Sequence, residues 1–269
     1  MCNDRNNLTE RRPMENNILE LKNICFSYHT LHGETRALEN ISLNVKNGEF
    51  LAIVGPSGCG KSTLLSIIAG LIPPESGTIH FNENTNPTNR MVGYMLQRDH
   101  LLEWRSIYQN VILGLEINHS LTEENIKYVN QLLVEYGLWA FKDKRPSELS
   151  GGMKQRAALI RTLALNPRLL LLDEPFSALD YQTRLVVSED ICSLIRRSGK
   201  TVIMITHDLS EAVRLSDRII VLTKRPASVK KEIEVHLTVS EKTPLASMNA
   251  PEFNSYFNIL WKELNDEKK

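Results

Sequence analysis

Residues 18–28, ILELKNICFSY, alternate apolar and polar positions. This is the pattern of a strand with one face buried. The alternation returns in ISLNV, with Ile41, Leu43 and Val45 on one side. Asn47-Gly48 then predicts a tight turn into EFLAIVG. Residues 50–54 are apolar without a break, as a strand covered on both faces requires. The chain therefore starts mostly antiparallel and continues as strands followed by helices. KSTLLSIIAGLI predicts a helix stopped by Pro73-Pro74, and SGTIHF predicts a short strand. Residues 98–165 carry helical spacing in SIYQNVILGLEI, TEENIKYVNQLLVEYGL and MKQRAALIRTLAL, the last ended by Asn166-Pro167. They read as a helical subdomain inserted between strands. RLLLLDEP and TVIMITHD are buried-type strands with a helix between them, and DRIIVLT and KKEIEVHL are the final strands. Residues 1–16 read as a flexible tail. In the C-terminal tail, 241–269, the segment PEFNSYFNILWKEL sets Phe253, Tyr256, Phe257, Leu260, Trp261 and Leu264 on one face of an amphipathic helix. That face either packs on its own domain or meets a partner.

Charge narrows the classes. The 32 Lys and Arg residues equal the 32 Asp and Glu residues, so no global basic field points to a nucleic-acid partner. No apolar run is long enough to span a bilayer, and the polar N-terminus lacks the apolar core of a secretory leader. The expected location is the cytosol, with any membrane crossing left to another subunit. Cys2, Cys25, Cys59 and Cys192 form no C-x-x-C pair, which predicts free thiols and no zinc knuckle.

The chemistry begins at GPSGCGKST. Gly55, Pro56, Ser57, Gly58, Cys59, Gly60, Lys61 and Ser62 fit G-x-x-x-x-G-K-[ST], between a buried strand and a helix as that motif requires. Glycines let successive N–H groups curl around phosphate oxygens, and the helix start adds partial positive charge. Lys61 is expected on the β- and γ-phosphates, Ser62 on Mg2+ and Thr63 near the α-phosphate. Asp173 and Glu174 end an apolar strand. One suits the shell of the Mg2+ and the other suits polarising a water, although an acidic turn reads the same way in isolation. His207 follows another buried strand, where open α/β sheets bind ligands, and a γ-phosphate contact is expected of it. Gln97 could join the metal or water to what lies beyond. Tyr28 either stacks on a base or is a core tyrosine. A second glycine element, LSGGMKQR, starts another helix.

Taken in order, Tyr28, GPSGCGKST, Gln97, LSGGMKQR, LLLLDEP, SALD and His207 closely resemble the ATPase subunit of an ATP-binding cassette transporter. The resemblance runs from about Ile18 to about Val235 and implies an ATPase domain over residues 17–240. It implies an α/β fold: a P-loop NTPase, RecA-like core with an antiparallel β-subdomain and the inserted helical subdomain. It implies ATP and Mg2+ as cofactors, with Asp173, Gln97 and Ser62 on the metal and Glu174, His207 and Gln97 in catalysis. LSGGMKQR resembles the family signature, so Ser150, Gly151, Gly152 and Gln155 would bind nucleotide held by a second copy in a head-to-tail homodimer. Asp180 of SALD would cross the same interface.

The span after Val235 leaves no room for the regulatory domain of sugar and sulfate importers, which implies a compact importer subunit. LQRDHLLEWRSIYQNVILGLEI and VLTKRPASVKKEIEV resemble the nitrate/sulfonate/taurine branch, with Glu103 before Trp104 where that branch usually has proline. The implied partners are transmembrane permease subunits and, indirectly, an extracytoplasmic solute-binding protein, at the cytoplasmic face of the membrane and without nucleic acid. Asp99, Leu101, Leu102 and Trp104 are the expected permease contacts, with packing inside the helical subdomain the alternative for each. The rival reading is a soluble cassette acting in translation or DNA transactions.

Overall fold

A computed structural model of the chain describes residues 17–31, 33–82, 92–177, 179–239 and 244–265. The tail expected over 1–16, Cys2, Ala178 of SALD and the two ends of the 241–269 segment lie outside these residues. Strand β1 (Asn17–Thr30) pairs with β2 (Gly33–Lys46), as the alternation predicts. The chain then enters β3 (Phe50–Val54), helix α1 (Lys61–Ile68) and β4 (Ser76–Phe81), which returns to β1. The result is a three-stranded antiparallel sheet in the order β2-β1-β4. Gly77 makes the return possible. It sits at φ +93, and a Cβ there would stand 2.5 Å from the carbonyl oxygens of Lys22 and Asn23.

The second sheet holds β5 (Val92–Met95), β6 (Leu169–Asp173), β7 (Thr201–Ile205), β8 (Arg218–Leu222) and β9 (Val229–Glu234) together with β3. Its order is β5-β6-β7-β3-β8-β9. The first five strands are parallel and β9 is antiparallel to β8. Every residue of β3, β6, β7 and β8 is buried, which is why each of those segments carries at least four consecutive apolar residues.

Between β5 and β6 lie α2 (Ile107–Val111), α3 (Leu113–Ile117), α4 (Glu123–Glu135) and α5 (Gly151–Leu163). They share a core with Leu170, Leu172, Val202 and Met204 of the sheet. Helices α6 (Tyr181–Arg197) and α7 (Leu209–Leu215) follow β6 and β7. The chain ends in α8 (Pro244–Met248) and α9 (Phe253–Asn265). Leu260 and Phe253 of α9 are buried with Ala52, Val54, Ile219 and Val221, and Tyr256, Phe257 and Leu264 pack against them, so most of the apolar face covers its own sheet while Trp261 stays 59% exposed.

Two elements depart from their predicted limits. Helix α1 stops at Ile68, before the prolines. Gly70, at φ +72, turns the chain, and the Gly70 and Leu71 N–H groups donate to the carbonyls of Ile67 and Ser66. A left-handed glycine closes a helix without help from a following proline. The segment SIYQNVILGLEI breaks at Ile112 into α2 and α3.

One buried ion network fastens the sheets together. Arg218, on β8, is 3% exposed. Its Nε and Nη2 donate to the two carboxylate oxygens of Glu49 at 2.6 and 2.9 Å. Nη2 also reaches the Asn44 carbonyl of β2 at 2.6 Å, and Nη1 reaches Glu232 of β9 at 2.5 Å. These carboxylates hold the guanidinium charged despite its burial.

Candidate active site

The five parallel strands end along one edge, and the candidate residues follow those ends. Gln97 follows β5, Asp173 and Glu174 end β6, His207 follows β7, and the glycine loop joins β3 to α1. Open α/β sheets bind ligands at this edge.

The loop is shaped by its glycines. Gly58 is at φ +71 and Gly60 at φ +125. Gly55 packs so closely that a Cβ would meet Cys59 Sγ and Leu222 at 3.1 Å. Pro56 is half-buried, and Ser57 and Gly58 are exposed. Gly60 heads α1 without a side-chain cap, so the helix start has no side chain of its own across it. Lys61 folds back over the loop, its Nζ donating to the carbonyls of Gly55 and Pro56 at 2.8 and 2.9 Å. A buried ammonium held over a loop by weak neutral acceptors can be given up to an anion. Thr63 Oγ1 lies 2.8 Å from the Tyr28 hydroxyl. Tyr28 is 43% exposed and edge-on to Phe26, so it stands at the surface beside the loop and not in the core.

Glu174 is the meeting point of three strand ends. Gln97 Nε2 donates to its Oε2 at 3.1 Å, and His207 Nδ1 lies 3.2 Å from the same oxygen. Its backbone sits at φ +46, held by its N–H donating to the Ile205 carbonyl at 2.9 Å. A non-glycine residue in that region is strained, and such strain clusters at working sites.

Asp173 is buried beside it, with the Tyr94 hydroxyl donating at 3.5 Å. Burial pushes its carboxyl above the usual range, and the Glu174 charge adds to this. Hydrogen bonds from Ser62 and Tyr94 and the charge of Lys61 oppose the shift. A carboxyl raised in the fold binds its proton more tightly folded than unfolded. It favours the fold at low pH and loses that contribution as pH rises through the raised value. Ionised Asp173 therefore costs stability at neutral pH. Asp173→Asn is expected to raise the melting midpoint of the nucleotide-free protein at pH 7 by ~2–4 °C, with a smaller gain near pH 4. A midpoint that falls at pH 7 would contradict this.

The set Ser62 hydroxyl, Asp173 carboxylate and Gln97 amide suits a hard cation that keeps several waters, as Mg2+ does. A buried carboxyl short of compensation gives that cation a reason to bind. Among the described residues no cluster of three or more His, Cys, Asp or Glu offers an all-protein metal cage.

The second glycine element stands apart from the loop. Ser150 is exposed and caps α5, its Oγ accepting from the Met153 N–H at 3.4 Å. Gly151 is exposed and lies by Leu179. Gly152 packs on α6, where a Cβ would meet Val187 at 3.0 Å. Asp180 caps α6, accepting from the Thr183 N–H at 3.1 Å. Gln155 is 4% exposed, and its Oε1 is buried without a hydrogen-bond partner among the described residues. Leu101 is 7% exposed and belongs to the helical core, the alternative open for each of the four expected permease contacts. Asp99 accepts from the Leu101 N–H, and Leu102 is half-buried. Trp104 alone of the four presents a large apolar surface, at 73% exposure.

Sequence reasoning passed over Tyr94 and Arg184. Arg184 donates to the Leu179 carbonyl at 3.0 Å and pairs with Asp208 at 3.6 Å, next to His207. Tyr94 meets Asp173 and Arg184 meets Asp208 across long stretches of sequence, so no spacing announces those pairs.

The family model described as ABC transporter matches residues 38–177. The chain is 42% identical over 252 residues to the uncharacterized ABC transporter ATP-binding protein YtlC of Bacillus subtilis, covering 93% of this chain and 97% of that protein. It is 39% identical over 227 residues to the nitrate import ATP-binding protein NrtD of Synechocystis, covering 84% and 85%. To the taurine import ATP-binding protein TauB of Roseobacter denitrificans it is 41% identical over 217 residues, covering 80% and 81%. Among solved structures it is similar to a dimeric ATP-binding cassette in a post-hydrolysis state bound to ADP and Pi. The TM-score is 0.69 and the identity 32%, over 81% of this chain and 99% of that one.

Proposed function

The chain belongs to the ABC transporter family, and we propose that it is the ATP-hydrolysing subunit of an importer, driving a small anion or heterocycle of the nitrate, sulfonate or taurine kind through a separate permease. The observation that carries this reading is the convergence of Gln97 and His207 on one oxygen of Glu174, at the strand edge shared with the glycine loop. The Glu174 cluster would serve any cassette ATPase, and other observations set aside the rival, a soluble cassette serving translation or DNA. Similar proteins are named for nitrate and taurine import, and the balanced charge gives nucleic acid no basic field.

In this reading Tyr28 stacks on adenine. The N–H groups of Gly55–Ser62 and the start of α1 receive the phosphates. Lys61 leaves the Gly55 and Pro56 carbonyls for the β- and γ-phosphates. Ser62, Asp173 and Gln97 hold Mg2+, which when bound neutralises phosphate charge. Glu174 Oε2 takes the proton of the attacking water, and Gln97 and His207 keep that oxygen in place. Ser150, Gly151 and Gly152 of a second copy close over the γ-phosphate, with Asp180 crossing the same interface. Closure and hydrolysis move the permease, into which Trp104 docks.

No helix among the described residues is long and apolar enough to cross a membrane. A peripheral position on the cytoplasmic face follows from permease binding, with a solute-binding protein engaged only through the permease. The test is to tag the protein in its own cell, solubilise the membranes and identify what co-purifies. A multi-spanning membrane protein is expected, together with Mg2+-dependent ATP hydrolysis. Recovery with nucleic acid or ribosomes and no membrane protein would overturn the reading.

A further inference from the structure

Four of the five parallel strand ends supply residues to the site, and the fifth has no assigned part. That strand is β8, and the turn after it carries Arg225 in the segment TKRPAS. Arg225 Nη2 donates to the carbonyl oxygen of Gly58 at 2.5 Å. Gly58, at φ +71, lies in the middle of the glycine loop. A trans peptide points its C=O and its N–H in opposite directions. Holding the Gly58 oxygen on Arg225 therefore turns the Cys59 N–H away from Arg225, and that N–H donates across the loop to the Pro56 carbonyl at 3.3 Å.

The turn that presents Arg225 is fixed. Thr223 N–H donates to the Ser228 carbonyl at 3.0 Å, and Ser228 N–H donates to Thr223 Oγ1 at 2.9 Å. Ala227 N–H donates to the Ala37 carbonyl at 2.9 Å, and the Ala227 carbonyl accepts from Glu39 N–H at 2.8 Å. Ala37 and Leu38 also support the loop. A Cβ on Gly60 would stand 2.9 Å from Leu38 and 3.0 Å from the Ala37 carbonyl. One stretch of β2 thus braces both the loop and the turn that grips it. The Arg225 charge reaches the loop interior too. Burial pushes the Cys59 thiol up, against Lys61 and, more weakly, Arg225.

We propose that Arg225 is a positioning residue for nucleotide binding: it fixes the peptide after Gly58 so that the loop is set for phosphate before nucleotide arrives. A loop already in its bound shape loses less entropy when the ligand lands. The inference rests on the reading of Gly55–Ser62 as the phosphate loop.

The experiment titrates the full chain with ADP and with a fluorescent ATP analogue, in the original protein and in Arg225→Ala, Arg225→Lys and Lys61→Ala. Arg225 is exposed, so its loss should leave the melting midpoint of the nucleotide-free protein within ~2 °C. Arg225→Ala is expected to raise Kd about 5- to 10-fold, the size of one ordinary hydrogen bond, since water screens the exposed guanidinium. Arg225→Lys, which keeps a charged donor, should lie within roughly 3-fold of the original. If Arg225→Ala binds within about 2-fold while Lys61→Ala binds far more weakly, the inference alone fails. The same holds if Arg225→Ala loses affinity only alongside a fall in the nucleotide-free midpoint that Arg225→Lys shares. If Lys61→Ala binds as tightly as the original, the phosphate-loop reading fails and the inference falls with it.

Discussion

Glu174→Gln is expected to lower ATP turnover by about 10²- to 10⁴-fold while leaving nucleotide binding in place, since a positioned general base contributes about that much. Glutamine matches glutamate in size, and its carbonyl oxygen can still accept from Gln97 Nε2, now 3.1 Å from Glu174 Oε2. The backbone at φ +46 strains either residue alike. What glutamine lacks is a carboxylate able to take a proton from water. With hydrolysis blocked, the ATP-bound pair of copies should accumulate, because the resetting step never comes. Size exclusion in ATP and Mg2+ should therefore show a dimer for the variant and mostly monomer without nucleotide. Turnover above about a tenth of the original would remove Glu174 from its role. A monomer at every protein concentration would remove the two-copy site.

The candidate residues are legible where the chain writes them contiguously. GPSGCGKST follows β3 directly, and Asp173 and Glu174 end an unbroken apolar strand. Burial on both faces forces such strands to be apolar throughout, so their ends show in the sequence. Once a strand end is known, whatever polar residue follows it is a candidate, and that logic found His207 and Gln97. Contacts between distant segments leave no such trace. Arg225 reaches Gly58 across 167 positions and Arg218 reaches Glu49 across 169. Each arginine reads as an ordinary surface charge until the sheet order is known. Irregular segments mislead in the opposite direction. Leu101 lies in a loop with no period to show its facing, and it turns out buried. Gln155 is singled out by its place in LSGGMKQR, and nothing in that motif announces that it is buried on α5. The Glu174 cluster needed both kinds of information: the strand ends name its members, and only the sheet order brings them to one oxygen.

Ser150→Arg is expected to stop hydrolysis, by at least ~10²-fold, while nucleotide affinity stays within about 3-fold of the original. The division follows from where Ser150 stands. It is exposed at the start of α5, and its bonds and neighbours are Met153 and the helix it caps, not the Gly55–Ser62 loop. A single copy should therefore load ATP without it. In the two-copy reading Ser150 meets the γ-phosphate of the other chain, where a long arginine side chain keeps the surfaces apart. The substitution also removes the N-cap, which costs about 1 kcal/mol. Ser150→Ala isolates that loss, because it removes the same cap and adds no bulk. If Ser150→Ala melts as low as Ser150→Arg but keeps most of its turnover, the failure of the arginine variant comes from blocked closure and not from a weakened helix. If Ser150→Arg instead loses nucleotide binding in a protein that still melts cooperatively, then Ser150 serves its own chain's ATP. The second glycine element would then lie within one chain's site, and the case for two copies would have to rest on Glu174→Gln alone.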